Sequence, residues 1–264
     1  MIRKHLFKDK ADNDSIRWRL HEPTRLEAFS DAVIAFAITL VAISLEVPQT
    51  FDELLHLMQG FFGFAICFLF LALIWHEQYV FFRRFGLQDT RTIAYNLMLL
   101  FMVIYLVYPL KFLFYFLAQG SAQIVKEDGT VIDRFKNGNQ PCELMIIYGI
   151  GYFIIYSLMA LMYKHALKKK DDIRLSRLEI YNTKTYIRAY IGRLCVVVLS
   201  LSLAIYGIDR SDKYSFFSGI SYSLIGFVMW FVIGRRKKKI PKLFTKQEIE
   251  EVRNELVIVE ETEA

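Results

Sequence analysis

The chain has 264 residues, of which 55% are hydrophobic, 16% aromatic and 23% charged, with a formal net charge of +6 and a mean hydropathy of +0.30. That is too apolar for an ordinary soluble domain unless the two classes are segregated. They are: long uncharged runs alternate with short basic or mixed linkers, as in helices that satisfy their backbone polar groups inside lipid, and the Lys and Arg residues border apolar segments instead of forming a basic domain interleaved with aromatics, which argues against nucleic acid as a partner.

The N-terminal stretch from Met1 to Arg19 is basic and lacks the short apolar core and small-residue cleavage site of a signal peptide, so no processing is expected there. Six apolar runs follow, near Leu26 to Val47, Leu54 to Phe82, Thr92 to Ala118, Leu144 to Tyr163, Tyr186 to Ile208 and Tyr214 to Gly234. Each approaches or exceeds the roughly 20 residues that cross a bilayer. The expected fold is therefore an all-α integral membrane protein with six transmembrane helices. It divides into a basic cytoplasmic N-terminus (1–24), a six-helix membrane domain (25–239) and an acidic cytoplasmic tail (240–264).

The linkers set the orientation. Arg17, Arg19 and Arg25 precede the first span; Arg83, Arg84 and Arg91 lie between the second and third; Lys164, Lys168, Arg174, Arg177 and Lys184 between the fourth and fifth; and Arg235 to Lys239 after the last. The remaining linkers carry no basic residue or a balance of both signs. This alternation predicts a multi-pass protein of the cell membrane with both termini cytoplasmic. In the longest linker, Val131 and Ile132 lie between Gly129 and the Asn137-Gly138-Asn139 turn signal, which allows a small hairpin on the far side. The tail past Lys239 turns acidic, with Ile249, Val252 and Leu256 at helical spacing. Cys67, Cys142 and Cys195 show neither CxxC nor Cys/His spacing, so no disulfide, zinc site or tightly bound metal is expected.

The first span carries the most information. It places Asp31 about two turns inside an apolar run, where an ionisable group costs several kcal/mol unless paired, and so marks a functional site by default. Phe29, Phe36, Leu40, Ile43 and Val47 share one side of this helix, and Ser30 and Asp31 point away from them. The polar face should dock on neighbouring helices; the apolar stripe should meet lipid, another helix or a constricted pore. Spacing alone leaves these open, and Asp31 could equally accept a bond from Arg25 or a backbone amide.

Other signals weigh less. His76-Glu77 lacks the second His, four residues on, of a zinc-protease helix, because that position is Val80. Gly149-Ile150-Gly151-Tyr152 lacks the lead-in of a carbonyl filter and reads as helix-packing glycine. Lys111, two residues after Pro109, could attract or repel ions near the outer mouth, but such a Lys more often snorkels to the interface. Glu46 at the outer end of the stripe could form a cation-attracting ring, or be an ordinary exposed carboxylate. No span carries the repeated cations of a voltage sensor, and no nucleophile constellation or phosphate loop supports an enzyme.

The motif Arg25-x-x-x-Phe29-Ser30-Asp31, its continuation Ala-Val-Ile-Ala-Phe-Ala-Ile-Thr-Leu and the ending Leu-Glu-Val-Pro resemble the bacterial relatives of the endolysosomal potassium channel, transmembrane protein one-seven-five. Trp75-His76 and Asn96 look like that family's Trp/His and Asn positions. The resemblance implies a homotetramer in membrane lipid whose four first helices line a central pore, with potassium as the permeant ion and no cofactor. It implies a constriction at Phe36, Leu40 and Ile43 with Thr39 as a neighbouring polar layer, and a structural network of Arg25, Ser30, Asp31, Trp75, His76 and Asn96. Phe36 stands where the family usually has Ile, and the His usual about three residues after the Trp is absent, so either His76 or Gln78 is expected to take its role. Two other readings remain: a proton-coupled transporter using Asp31 and His76, and a membrane scaffold recruiting a partner through its acidic tail.

Overall fold

The computed structural model describes residues 19, 22–43, 50, 51, 55, 61–119, 123–125, 131–133, 135–210 and 213–245. In chain order it forms α1 (Arg25–Ile43), α2 (Phe61–Phe85), α3 (Thr90–Gln119), β1 (Gln123–Val125), β2 (Val131–Asp133), α4 (Gln140–Lys168), α5 (Arg177–Gly207), α6 (Lys213–Ser221), α7 (Ser223–Lys237) and the single turn α8 (Ile240–Leu243). Five stretches among the described residues are long and apolar enough to cross a membrane: α2, α3, α4, α5, and α6 and α7 taken together. The segment 1–18 and the tail beyond 245, including the spaced apolar residues Ile249, Val252 and Leu256, lie outside the described residues.

The helices pack in sequence. The pore-helix candidate α1 lies on α2 and α3, α3 lies on α4, and α4 and α5 form the most extensive pair, with α6 and α7 laid against α5. Glycines permit the closest approaches: a Cβ on Gly149 would stand 2.6 Å from Leu201 Cδ2 of α5, and one on Gly151 would overlap Leu106 of α3. These glycines therefore serve helix packing. The linker after α3 forms an antiparallel hairpin in the register Gln123↔Asp133, Ile124↔Ile132, Val125↔Val131.

Helix starts follow from local chemistry. Thr24 and Glu27 form a reciprocal cap at the foot of α1: the Thr24 N–H donates to Glu27 Oε2 at 2.8 Å and the Glu27 N–H to Thr24 Oγ1 at 3.2 Å. Ser176 and Glu179 repeat the arrangement on α5. The last apolar run is the exception to a continuous span, because it breaks at Tyr222 between α6 and α7.

Candidate pore helix and its polar anchor

One face of α1 is buried. Glu27, Ser30, Ile34, Ala37 and Val41 recur at three- and four-residue spacing and are each 5% exposed or less, so this stripe meets α2 and α3. The polar members hold it there. The Ser30 hydroxyl donates to the Leu26 carbonyl at 2.7 Å and accepts from Asn96 Nδ2 of α3 at 2.9 Å. The Asn96 Oδ1 in turn accepts from Gln78 Nε2 of α2. Beside them the Trp75 indole N–H donates to Asp31 Oδ1 at 2.7 Å. Arg83 Nε lies 3.7 Å from Glu27 Oε1, an ion pair at the helix foot. A cavity of about 20 Å³ lies under this anchor, bordered by Glu27, Ser30, Asp31, Gln78 and Arg83. It has room for one water molecule.

Two of the expected network residues are not in it. His76 is exposed and its ring packs on Tyr79, with centroids 6.5 Å apart. No hydrogen bond joins it to Asp31 among the described residues, and Gln78 is the side chain that reaches Asn96. At about 100° per residue, Gln78 lies only about 60° from Trp75 on the helix surface, whereas Glu77 lies about 160° away and His76 about 100°. Arg25 is also exposed, without a partner among the described residues; it sits on the side of α1 away from Ser30, and the cation at the helix foot is Arg83 instead.

The opposite face of α1 is exposed, with no covering among the described residues. Phe29 and Phe36 are 51% and 55% exposed, and Ala28, Ala32, Ala35 and Thr39 are exposed between them. The Thr39 hydroxyl donates back to the Ala35 carbonyl at 2.8 Å. Leu40 is not fully on this face: it is half-buried and packs on the core. Ile43 ends the helix, but its side chain lies outside the described residues, as does Glu46. At the upper end the Lys111 ammonium of α3 donates to the Val41 carbonyl at 2.9 Å. Lys111 thus caps the C-terminal end of α1, where the helix dipole favours a cation.

Sequence reasoning missed two further clusters. Glu77 of α2 and Arg193 of α5 form an intramembrane ion pair, with Arg193 Nη1 and Nη2 each 3.0 Å from Glu77 Oε1. The Tyr190 hydroxyl donates to the same carboxylate at 3.2 Å, and the guanidinium lies 4.0 Å over the Tyr156 ring. The sequence signal was available: Glu77 is the one acid of its apolar run, and Arg193 is the deeper of two arginines in its run. The second cluster gathers the linkers at the foot of the bundle. Arg19 makes two bonds to Glu179, at 3.0 and 2.9 Å, and donates to the carbonyls of Arg84 at 2.7 Å and Ile173 at 3.1 Å. Its own N–H donates to the Arg83 carbonyl at 2.8 Å. Asp89 lies in the same region, accepting from Thr92 at 2.7 Å and paired with His165 at 2.8 Å. Burial acts to raise the Asp89 carboxyl pKa, but those two hydrogen bonds and the nearby charges of His165 and Lys169 outweigh it and hold the group below the usual carboxylate value.

A chain of long apolar helices, whose first member is gripped by polar groups on one side and bare on the other, defines a multi-pass membrane protein, and the comparisons with known proteins place it among ion channels. The family model described as endosomal/lysosomal potassium channel TMEM175 matches residues 25–106, the stretch that holds α1, α2 and the anchor. A potassium channel of Marivirga tractuosa is 37% identical over 230 residues, 86% of this chain and 92% of that protein. A potassium channel of Chamaesiphon minutus is 29% identical over 111 residues, covering 39% of this chain and 55% of that one. The crystal structure of a variant of the potassium channel MtTMEM175, in complex with a nanobody–MBP fusion, superposes with a TM-score of 0.72 at 35% identity, covering 85% of this chain and 97% of that one. The Chamaesiphon minutus homologue's crystal structure shares the fold, with a TM-score of 0.53 at 20% identity over 79% of this chain and 96% of that one. The chain belongs to the TMEM175 family, a family of ion channels and not of enzymes.

Proposed function

We propose that the chain is one subunit of a homotetrameric, potassium-permeable channel of the cell membrane, with residues 25–239 as its membrane domain and the basic 1–24 and acidic 240–264 segments in the cytoplasm. Four copies of α1 surround a central pore. Membership of the channel family supports this reading, and the observation that carries it is the bare face of α1 opposite the anchor. Among the described residues, none covers a row of side chains that includes two half-exposed phenylalanines, and because one helix cannot enclose a pore, a pore on this face requires symmetric copies around an axis.

The constriction is a ring of Phe36 with Leu40 and Ile43 above it, and Thr39 supplies the polar layer between. Conduction requires such an apolar ring to wet as the rings rotate or the helices splay. Phe36 fills more space than the Ile usual at that position and sets the narrowest point. Glu46 forms an acidic ring at the outer mouth that raises the local cation concentration. Sidedness follows from the basic residues at the α2–α3 and α4–α5 linkers and after α7.

The test is flux into liposomes holding purified protein, driven by a potassium gradient and repeated with sodium, with subunit number measured by cross-linking in lipid. Potassium flux exceeding sodium flux from a tetramer is the expected result. A monomer in lipid, or flux that saturates and requires a proton gradient, would overturn the central-pore reading.

A further inference from the structure

We propose that the cleft between α4 and the broken last span holds one acyl chain of a phospholipid from the leaflet on the hairpin side. The cleft has a volume of about 760 Å³, and none of the described residues that line it is charged. One wall is α4 from Pro141 to Tyr152 and the other is the last span from Ser215 to Gly226, with Phe70 of α2 and Leu113 of α3 at the back. Both walls rise eleven residues, or about 16 Å at the helical rise of 1.5 Å per residue. That is close to half of the roughly 30 Å hydrocarbon layer, the depth of one leaflet. One end of the cleft is lined by Phe135 and Pro141, which belong to the linker that carries the hairpin and to the start of α4.

Sequence and packing account for the space. Gly219 and Gly226 leave two gaps between the side chains of one wall: a Cβ on Gly219 would meet only Met145 Sδ at 3.9 Å, and one on Gly226 would meet nothing within 4 Å. The last span is also the most loosely held, with 11% of its apolar window buried in the subunit against 50% for α4. A void of this size forfeits the dispersion contacts of every side chain along it. The medium beside it in a bilayer is hydrocarbon, which matches the apolar and aromatic lining where water does not. In sequence Lys136 follows Phe135, Lys213 stands two residues before Ser215 and Glu143 two after Pro141, so charges of both signs flank the lining residues at this end. The recognition is therefore of the chain and not of one headgroup.

The experiment uses full-length protein in liposomes doped with a phosphatidylethanolamine carrying a diazirine in its acyl chain, irradiated and mapped by peptide mass spectrometry. Adducts should concentrate on residues facing the cleft, such as Met145, Tyr148 and Ile220. They should be lost in Gly219→Leu and Gly226→Phe, whose side chains grow into the cleft, while adducts on the exposed Trp230 persist. Adducts spread evenly over the exposed helix faces, or retained at the cleft in both filled variants, would overturn the proposal. So would disulfide formation between subunits carrying Gly226→Cys, which would make the cleft an interface between copies. If a filled variant does not fold, the wild-type map decides alone, and because labelling needs no current it stands or falls apart from the channel reading.

Discussion

Replacing Asn96 with Leu removes the side chain through which α3 holds both other members of the anchor. Leu has nearly the same size, so the change deletes hydrogen bonds without opening a large cavity. Asn96 is fully buried and makes two bonds, to Ser30 and from Gln78. Hydrogen bonds between membrane helices contribute about 0.6 kcal/mol on average, up to about 1.7 kcal/mol. Losing two accounts for about 1 kcal/mol, and leaving the 2%-exposed Gln78 amide without this partner adds about 1–3 kcal/mol. The expected destabilisation is therefore about 2–4 kcal/mol, against about 1–3 kcal/mol for Ser30→Ala, which removes the bonds to Leu26 and from Asn96 and leaves the buried Asn96 amide without that partner. Equilibrium unfolding in mixed micelles, followed by helicity, measures both, and the double variant isolates their coupling, expected at about 0.6–1.7 kcal/mol. The same variant should lower the ratio of potassium to sodium flux, since α1 loses its fixed pose. Strict additivity of the two substitutions, or an Asn96→Leu protein within about 0.5 kcal/mol of wild type, would refute the claim that this network holds the helix.

Four further outcomes follow from the geometry. Phe36→Asn should raise conductance or loosen selectivity in liposome recordings, because a smaller polar side chain eases wetting of an apolar ring; unchanged currents from assembled protein would remove Phe36 from the constriction. Glu77→Gln should cost about 3–5 kcal/mol by leaving Arg193 without its counter-charge, and adding Arg193→Gln should recover part of it, both read from unfolding midpoints. Arg19→Ala should cost about 1.5–3 kcal/mol, the scale of a charge-assisted hydrogen bond, and speed amide exchange in the α2–α3 and α4–α5 linkers that Arg19 joins. Asp89→Asn should destabilise the protein at neutral pH. Because the folded Asp89 carboxyl is held below its unfolded value of about 3.9, its contribution is present above that value and lost as pH falls through the folded one; the wild-type and Asp89→Asn stabilities should converge in acid.

The spans and the anchor were legible to different degrees, and for physical reasons. A helix in lipid must be apolar along its whole length, so composition alone located the six runs, and Val131 and Ile132 fall on the second strand of the hairpin. The break at Tyr222 was not legible: no proline or glycine stands at Ser221-Tyr222-Ser223. Within the anchor, Ser30 and Asp31 could be read because polar residues inside an apolar run need partners. The choice of Gln78 over His76 required helical phase, which also separates Arg25 from the buried face that carries Glu27 and Ser30. The contact between Arg19 and Glu179 joins residues 160 positions apart, and neither sits in a local pattern that names the other.

Helical phase also explains why α2 is the element on which the rest of the subunit turns. Trp75 and Gln78 lie on one side of it and hold α1 and α3, while Glu77, between them in sequence, projects to the other side and holds α5 through Arg193. A rotation of α2 about its own axis would move both sets of contacts at once, so the pose of α1 is tied to the α4–α5 pair although α1 does not pack mainly on either. If α2 carries that linkage, Glu77→Gln should change the potassium-to-sodium flux ratio even though Glu77 does not touch α1. If α2 is only a passive support, Glu77→Gln should lower stability and leave the ratio where it was, and measuring both quantities on one variant separates the two cases.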